Sequence, residues 1–286
     1  MRSFLLSAIL LMTPFLLSAQ SRADSLRYVL THPEEGGVMV AAHRGHWRGT
    51  AENSLEAIDA AVEAGLDIVE IDVRKTRDGV LVLMHDPTLG RTTDGKGRVS
   101  SRDYSYIRSL KLKGPGGDAY HVPTLEEALL RAKGRILVNL DMRISLFDDA
   151  YAVAHKTGTL GQVIFKTRSL PDKIRKVSSI PLDSILFMPK VPFNDSKARI
   201  RMSRFLSSSS PSAFELSAAK ISSVTAAFYS RDHRLWYNAL WFSFSDTISL
   251  SDPSAGWGHL VRWLHAGVIQ TDSGPELKEY LKTIDQ

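Results

Sequence analysis

Short apolar runs alternate along the chain with longer stretches in which apolar residues recur every three or four positions. The runs fall at residues 38–42, 68–73, 135–142, 162–165, 184–187, 213–216, 239–242 and 268–271. Between them residues 53–64, 125–132, 146–156, 170–177, 196–205, 218–229, 257–265 and 276–281 read as amphipathic helices, with a short lead helix at 25–30. Brief buried strands separated by helices pair in parallel, because each crossover covers a face of the sheet. Eight such units in about 250 residues suit closure, so the chain is expected to be an α/β TIM (β/α)8 barrel. The competing fold is an open doubly wound sheet. It lacks its usual signals here: no strand is followed by GxGxxG opening a helix, and no GxxxxGK[ST] occurs.

Local punctuation supports these boundaries. Gly65 follows a helix whose Leu55, Ile58 and Val62 share one face, and glycine accepts the left-handed stop. Thr124 precedes Leu125-Glu126-Glu127, the spacing of a capping box. The rhythm breaks after the second barrel strand. A turn at Thr76-Arg77-Asp78-Gly79 leads into a short strand at 80–84, and about residues 86–120 then run rich in Gly, Thr, Arg, Asp and Tyr. That is too long for an ordinary strand-to-helix connection, so it reads as a small inserted segment over one mouth of the barrel, where long loops serve function.

The first nineteen residues carry Arg2, an apolar stretch from Phe4 to Leu17 and the small pair Ser18-Ala19. This is a secretory signal pattern with cleavage after Ala19, and residues 20–286 are then one domain. A membrane anchor is the competing reading, but the stretch is shorter than the roughly 20 residues a spanning helix needs and contains Pro14. An exported protein, periplasmic or secreted and without a stable membrane span, is expected. The chain has no cysteine, which a core of this size does not need. Its formal charge of +5 is a weak bias over 286 residues. No Lys/Arg block, zinc-ligand spacing or reading helix points to nucleic acid.

The most informative chemistry lies in Ile68-Val69-Glu70-Ile71-Asp72-Val73. The strand period of two sends Glu70 and Asp72 to one face and the apolar residues to the other. Two carboxylates entering a barrel interior together coexist only with a cation or strong donors nearby. Asp141, sharing a face with Asn139 at the end of the next strand, supplies a third carboxylate. The set describes a site for one hard divalent cation, Mg2+ or Ca2+.

His43 follows an apolar run where a barrel strand gives way to its loop, and His85 follows the short strand at 80–84 in the same way. Two imidazoles so delivered suit a general base and a general acid that exchange roles. Arg44 adds a rigid fork of donors for phosphate oxygens, with pairing to Glu52 as the plainer alternative. A zinc hydrolase on His43 and His46 is the chemical competitor, without an HExxH helix to support it. His46, His121, His155 and His265 are read as structural, Asp86-Pro87 as a turn cap, and Arg91 with Asp94 as a tie within the inserted segment.

These residues together resemble the glycerophosphodiester phosphodiesterase family. The likeness is carried by Ala42-His43-Arg44-Gly45, Glu52-Asn53-Ser54, the EIDVRKTRDG segment from Glu70, the HDPTLGRTTDGKG segment from His85, Asn139-Leu140-Asp141-Met142-Arg143, and Gln270-Thr271-Asp272 with Pro275. It is densest from His43 to Gly97; beyond Arg143 it rests on the barrel rhythm. The resemblance implies a TIM barrel with a small insertion and hydrolysis of small, water-soluble glycerophosphodiesters to sn-glycerol 3-phosphate and an alcohol, with Mg2+ or Ca2+ as cofactor. Carried over by motif position, His43 and His85 become the catalytic pair and Glu70, Asp72 and Asp141 the metal ligands. Arg44 becomes a phosphate contact, with Glu52 beside it.

The chain departs from the family pattern at Ala51, where proline is usual, at Ser54 for threonine, and at Asp141-x-Arg143 for Glu-x-Lys. The shorter carboxylate and the planar guanidinium change how metal and phosphate would be held. Further along, Lys166 is a candidate phosphate contact and Glu215 a glycerol ligand or partner of Lys166. Asp272 is expected to orient an Arg or Lys, and Trp241 to wall the headgroup pocket. Two rival functions are an idle headgroup-binding barrel, which has no use for both histidines and all three carboxylates, and phospholipase-type attack on intact lipid, which needs a larger apolar rim than Tyr104, Tyr106 and Ile107 offer.

Overall fold

The alternation of apolar runs and amphipathic stretches resolves into strands and helices in the computed structural model, which describes residues 20–115, 120–240 and 244–284. The strands are β1 (Met39–Ala42), β2 (Ile68–Lys75), β3 (Leu81–Leu83), β4 (Leu137–Asp141), β5 (Val163–Thr167), β6 (Leu186–Val191), β7 (Ala213–Leu216), β8 (Arg234–Ala239) and β9 (Val268–Thr271). All but β3 pair in parallel, in the order β1-β9-β8-β7-β6-β5-β4-β2. The sheet closes where Ala41 and Ala42 of β1 face Ile68 and Val69 of β2. This is a TIM barrel. β3 lies antiparallel on the far end of β2, with Val73 opposite Leu83.

The helices are α1 (Arg22–Thr31), α2 (Leu55–Glu63), α3 (Tyr104–Arg108), α4 (Leu125–Ala132), α5 (Phe147–Thr157), α6 (Pro171–Ile174), α7 (Asp195–Leu206), α8 (Ser223–Tyr229), α9 (Phe244–Ser249), α10 (Trp257–Arg262) and α11 (Gly274–Ile284). The expected caps are in place: Ser54 accepts from the Ala57 N–H, Thr124 and Glu127 form a reciprocal capping box, and Gly65 closes α2 at φ +69°. No helix among the described residues is long and apolar enough to cross a membrane.

Side-chain alternation along the strands builds distinct layers. Val69, Ile71, Val138, Leu140 and Phe165 pack outward with the helices. Met39, Ile68, Leu137, Ile164, Trp236 and Val268 fill the lower barrel interior, closed from below by Leu30 of α1. One step further along the same strand faces, the interior turns polar: Glu70, Asn139, Lys166, Glu215 and Gln270 are all buried. An apolar floor therefore supports a charged mouth at the C-terminal ends of the strands, the end at which barrels of this kind place their chemistry. Between β3 and α4 the chain leaves the barrel and forms a small core of its own around Val82, Leu89, Val99, Ile107 and Leu112.

The structure corrects the seventh barrel strand, expected at 239–242, to Arg234–Ala239. Arg234 reads in sequence as a polar boundary. It is buried because its guanidinium donates to the carbonyl oxygens of Val29 at 3.0 Å and Gly37 at 3.0 Å, in a lead segment some two hundred residues earlier. The helix expected at 170–177 is confined to α6, and that at 218–229 begins only at Ser223, capped by Ser222. The helices α3 and α9 were not anticipated.

Leu30 has no exposed surface and is the plug beneath the barrel. Leu30→Ala should cost about 3 kcal/mol of stability and lower the denaturation midpoint in urea. A midpoint equal to the parent's would mean that α1 is not part of the core.

Candidate active site

The period of two in β2 turns Glu70 and Asp72 into the barrel, and the register with β4 sets Asp72 opposite Asp141. Oxygen atoms of these three carboxylates lie within 4.8 Å of one another, and no other such grouping occurs among the described residues. Neither His43 nor His46 belongs to such a grouping among the described residues. Glu70 is 2% exposed, and its pKa is pushed up to about 7, first by burial and then by the charge of Asp72. Lys166 stands next to the trio, its Nζ 2.7 Å from Asp141, 3.4 Å from Glu215 and 3.7 Å from Glu70. Burial opposes the lysine's charge, but these three acids outweigh it and hold its pKa above the ordinary value. Glu215 is in turn 2.6 Å from Lys190 and accepts from Asn238. It pairs with the lysine, the second of the two roles expected for it.

The loop after β1 is wound tightly against this acidic patch. Arg44, at φ +56°, donates its backbone N–H to Glu70 at 3.1 Å, and its guanidinium lies 3.2 Å from both oxygens of Glu52 and 3.6 Å from Asp72. Gly45 has φ +78°, and a Cβ there would stand 2.6 Å from that of Ala57, so only glycine lets the loop reach α2. Asn53, also left-handed at φ +57°, donates to the Asp72 carboxylate at 3.0 Å and accepts its backbone N–H at 2.9 Å. Asparagine tolerates that conformation better than most residues.

Each candidate histidine is oriented by a carboxylate on Nδ1. His43 donates to Asp272 at 2.9 Å, and Trp47 Nε1 donates to the same oxygen at 3.0 Å. Burial disfavours the imidazolium of His43, but the Asp272 hydrogen bond and the Glu70 and Asp272 charges outweigh it and raise its pKa. His85 donates to Asp86 at 2.7 Å. Arg91 joins Asp86 at 2.7 Å to both oxygens of Glu52 at 2.8 Å, rather than pairing with Asp94. Arg91 is the main reason the Asp86 carboxyl lies well below the usual range.

A cavity of about 580 Å3 gathers His43, Arg44, Glu52, Glu70, Asp72, His85, Asp141 and Lys166 at one mouth. Arg143 lies in an adjoining cavity with Arg74 and Arg168, and Glu215 in another on the opposite flank. Trp241 is outside the described residues. Asp272, expected from sequence to orient an Arg or Lys, orients His43 instead. Behind it stands Asp246, which sequence reasoning missed. It is fully buried and accepts from Trp257 at 3.0 Å, Thr271 at 2.9 Å and the Asp272 backbone N–H at 3.4 Å. The flanking segment offers no apolar periodicity that would have singled it out.

Residues 43–165 match the glycerophosphoryl diester phosphodiesterase family, the span that carries every histidine and carboxylate of the mouth except Glu215 and Asp272. Over that span the chain is similar to this family. Residues 187–281 match a second family, described as a domain of unknown function. Human glycerophosphodiester phosphodiesterase 1 is 37% identical over 125 residues, 42% of this chain and 35% of the relative. The glycerophosphodiester phosphodiesterase of Caldanaerobacter subterraneus is 37% identical over 109 residues, 37% of this chain and 45% of the relative. The chain thus spans less than half the length of these curated relatives. The fold likeness extends much further. A glycerophosphoryl diester phosphodiesterase from Parabacteroides distasonis superposes with a TM-score of 0.72 at 20% identity, over 92% of each chain. An Oleispira antarctica phosphodiesterase in complex with the product sn-glycerol-3-phosphate gives 0.66 at 19% identity, over 85% of this chain and 96% of that one.

The raised pKa of Glu70 has a definite consequence for the metal-free protein. Because its folded-state pKa of about 7 lies above the unfolded value near 4.5, its contribution to stability is complete below about pH 4.5 and is lost as pH rises through 7. Glu70→Gln, neutral at every pH, should gain in melting temperature over the parent between pH 5 and pH 8 when both are measured in chelator. A difference that stays constant across that range would mean Glu70 is already ionised.

Proposed function

We propose that the chain is a divalent-metal-dependent phosphodiesterase that hydrolyses glycerophosphodiesters to sn-glycerol 3-phosphate and an alcohol. The observation that carries this reading is the arrangement of His43 and His85. Both are delivered by strand ends into one cavity with three carboxylates, and each is held through Nδ1 by an aspartate so that Nε2 is left for substrate. The family over residues 43–165 and the product-bound fold neighbour support the same class of substrate.

Glu70, Asp72 and Asp141 fit a hard cation: the donors are all oxygen and close together, and the Glu70 pKa, pushed up to about 7 first by burial and then by the charge of Asp72, is one that a divalent ion would lower. A divalent ion, Mg2+ or Ca2+, held by Glu70, Asp72 and Asp141 would supply Lewis acidity toward a phosphoryl oxygen and a nearby hydroxyl. The remaining work falls to the protein. Lys166 already shares Asp141 and holds positive charge beside the trio, where it can offset the charge growing on phosphate oxygens. Arg44, fixed by Glu52 and by its strained loop, adds a second donor on the β1 side. One imidazole removes the proton from the attacking hydroxyl, of water or of the substrate's adjacent glycerol carbon. The other protonates the departing alcohol oxygen, and the pair exchange roles if a cyclic phosphate must then be opened by water.

The composition of residues 1–19 supports export, so this chemistry would take place outside the cytoplasm on small soluble diesters.

Phosphorus-31 NMR of the protein with glycerophosphocholine, glycerophosphoethanolamine and glycerophosphoinositol, each with Mg2+, Ca2+ or chelator, should show metal-dependent glycerol 3-phosphate. No conversion in any combination would refute the assignment. His43→Ala and His85→Ala should each reduce turnover by about 10²- to 10⁴-fold and leave metal binding, measured by calorimetry, largely intact. Retained turnover in either variant would remove that histidine from the proton-transfer pair.

A further inference from the structure

A basic groove leads away from the carboxylate trio on the His85 side. A cavity of about 560 Å3 shares Asp72, His85, Asp141, Lys166, Arg168 and Lys190 with the central one and is lined beyond them by the cations Arg74 and Arg143. It adjoins a smaller cavity of about 200 Å3 through Arg74 and Arg143, and every charged residue lining this second space is cationic: Arg74, Lys75, Arg98 and Arg143. Some of these cations have other work. Lys75 pairs with Asp149 at 2.7 Å, and Arg74 donates to the His85 carbonyl oxygen. The side chains of Arg98, Arg143 and Arg168 form no hydrogen bond or ion pair with any described residue. The acids of the larger cavity are Asp72 and Asp141 alone, both committed to the cation site.

Guanidinium groups on a protein surface are ordinarily interspersed with carboxylates. Several that face one concavity without an acid repel each other and concentrate anions there. Each also offers the planar fork that matches phosphate oxygens, and Ser100 and Ser145 add hydroxyl donors along the same walls. A cationic headgroup such as choline would meet only like charge here. On the reading that the scissile phosphate sits at the carboxylate trio, we propose that the alcohol half of the preferred substrate carries a second phosphate, held in this groove by Arg98 and Arg143.

The test compares two substrates with the same scissile linkage. Deacylated cardiolipin carries a second phosphodiester anion in its alcohol half, and glycerophosphoglycerol does not. With metal-loaded enzyme, kcat/KM should be about tenfold or more higher for deacylated cardiolipin, as expected for charge-assisted hydrogen bonds to one added phosphate. The Arg98→Gln/Ser100→Ala double variant should lose that advantage and keep its rate on glycerophosphoglycerol. Equal kcat/KM for the two substrates, or an advantage that survives in the double variant, would overturn the proposal. A larger gain with glycerophosphoserine would overturn the phosphate assignment in favour of a carboxylate. If no diester is cleaved at all, the phosphodiesterase reading fails while the groove is still tested by calorimetry. Tighter binding of deacylated cardiolipin than of glycerophosphoglycerol, lost in the double variant, supports it; equal dissociation constants sink it.

Discussion

Glu70 and Asp72 are forced into the barrel together by the pleat of a single strand, and most of the mouth can be understood as compensation for their repulsion. Neither can be turned outward without sending Val69, Ile71 and Val73 the wrong way, since one residue of slip exchanges the faces of the whole strand. The sequence answers with donors from three directions. The Arg44 N–H and guanidinium come from the β1 side, the Asn53 amide from the start of α2, and Lys166 from two strands away. Two of these demand left-handed backbone at non-glycine residues, Arg44 and Asn53, a conformation that persists only where surrounding contacts fix it. The compensation is incomplete: burial first, and then the charge of Asp72, still push the Glu70 pKa up to about 7. A site that fully neutralised its own carboxylates would leave little attraction for a metal ion.

The balance also explains why a lysine can be buried at the centre of the molecule. Lys166 is 3% exposed, and an isolated ammonium group there would be strongly disfavoured. It is matched by Asp141, Glu215 and Glu70, and Glu215 is matched again by Lys190 and Asn238. The network extends from β2 across β4, β5 and β6 to β7 and β8. It runs on through the junction where one family match ends at residue 165 and the other begins at 187. The chain's two halves, which resemble different families, are thus joined at the mouth by one continuous set of charges as well as by the closed sheet.

Much of this was legible from residue order. The eight parallel strands, the inward face of β2 and the gathering of His43, His85, Glu70, Asp72 and Asp141 follow from a period of two and from strand ends, both of which are local signals. What sequence did not yield depends on long-range partners. The start of β8 is set by carbonyls of the lead segment around Arg234, and the partner of Asp272 is a histidine at the other end of the chain. Asp246 sits on a short helix between segments with no helical periodicity of their own. It could be recognised only once Thr271 and Trp257 were seen to enclose it. The pairing of Arg91 with Glu52 and Asp86 likewise crosses from the inserted segment to the loop before α2.

The two histidines share a mode of support but not an environment. Asp272, behind His43, is itself braced from within, since its N–H is held by Asp246, whose own pKa burial pushes up to about 6. His43 is therefore seated in a largely buried stack that salt in the solvent screens poorly. Asp86, behind His85, is braced from outside by Arg91, whose side chain is 45% exposed and which also grips Glu52 and, through it, Arg44. That support is a chain of surface ion pairs, individually weak and open to screening. One imidazole is thus fixed by the barrel and the other by the inserted segment folded over it. If the segment shifts, His85 and the Arg44 fork move with it, while His43 and the carboxylates stay in place. The His85 side, where the basic groove also opens, thus rests on ion pairs that salt can screen, while the His43 side rests on buried hydrogen bonds.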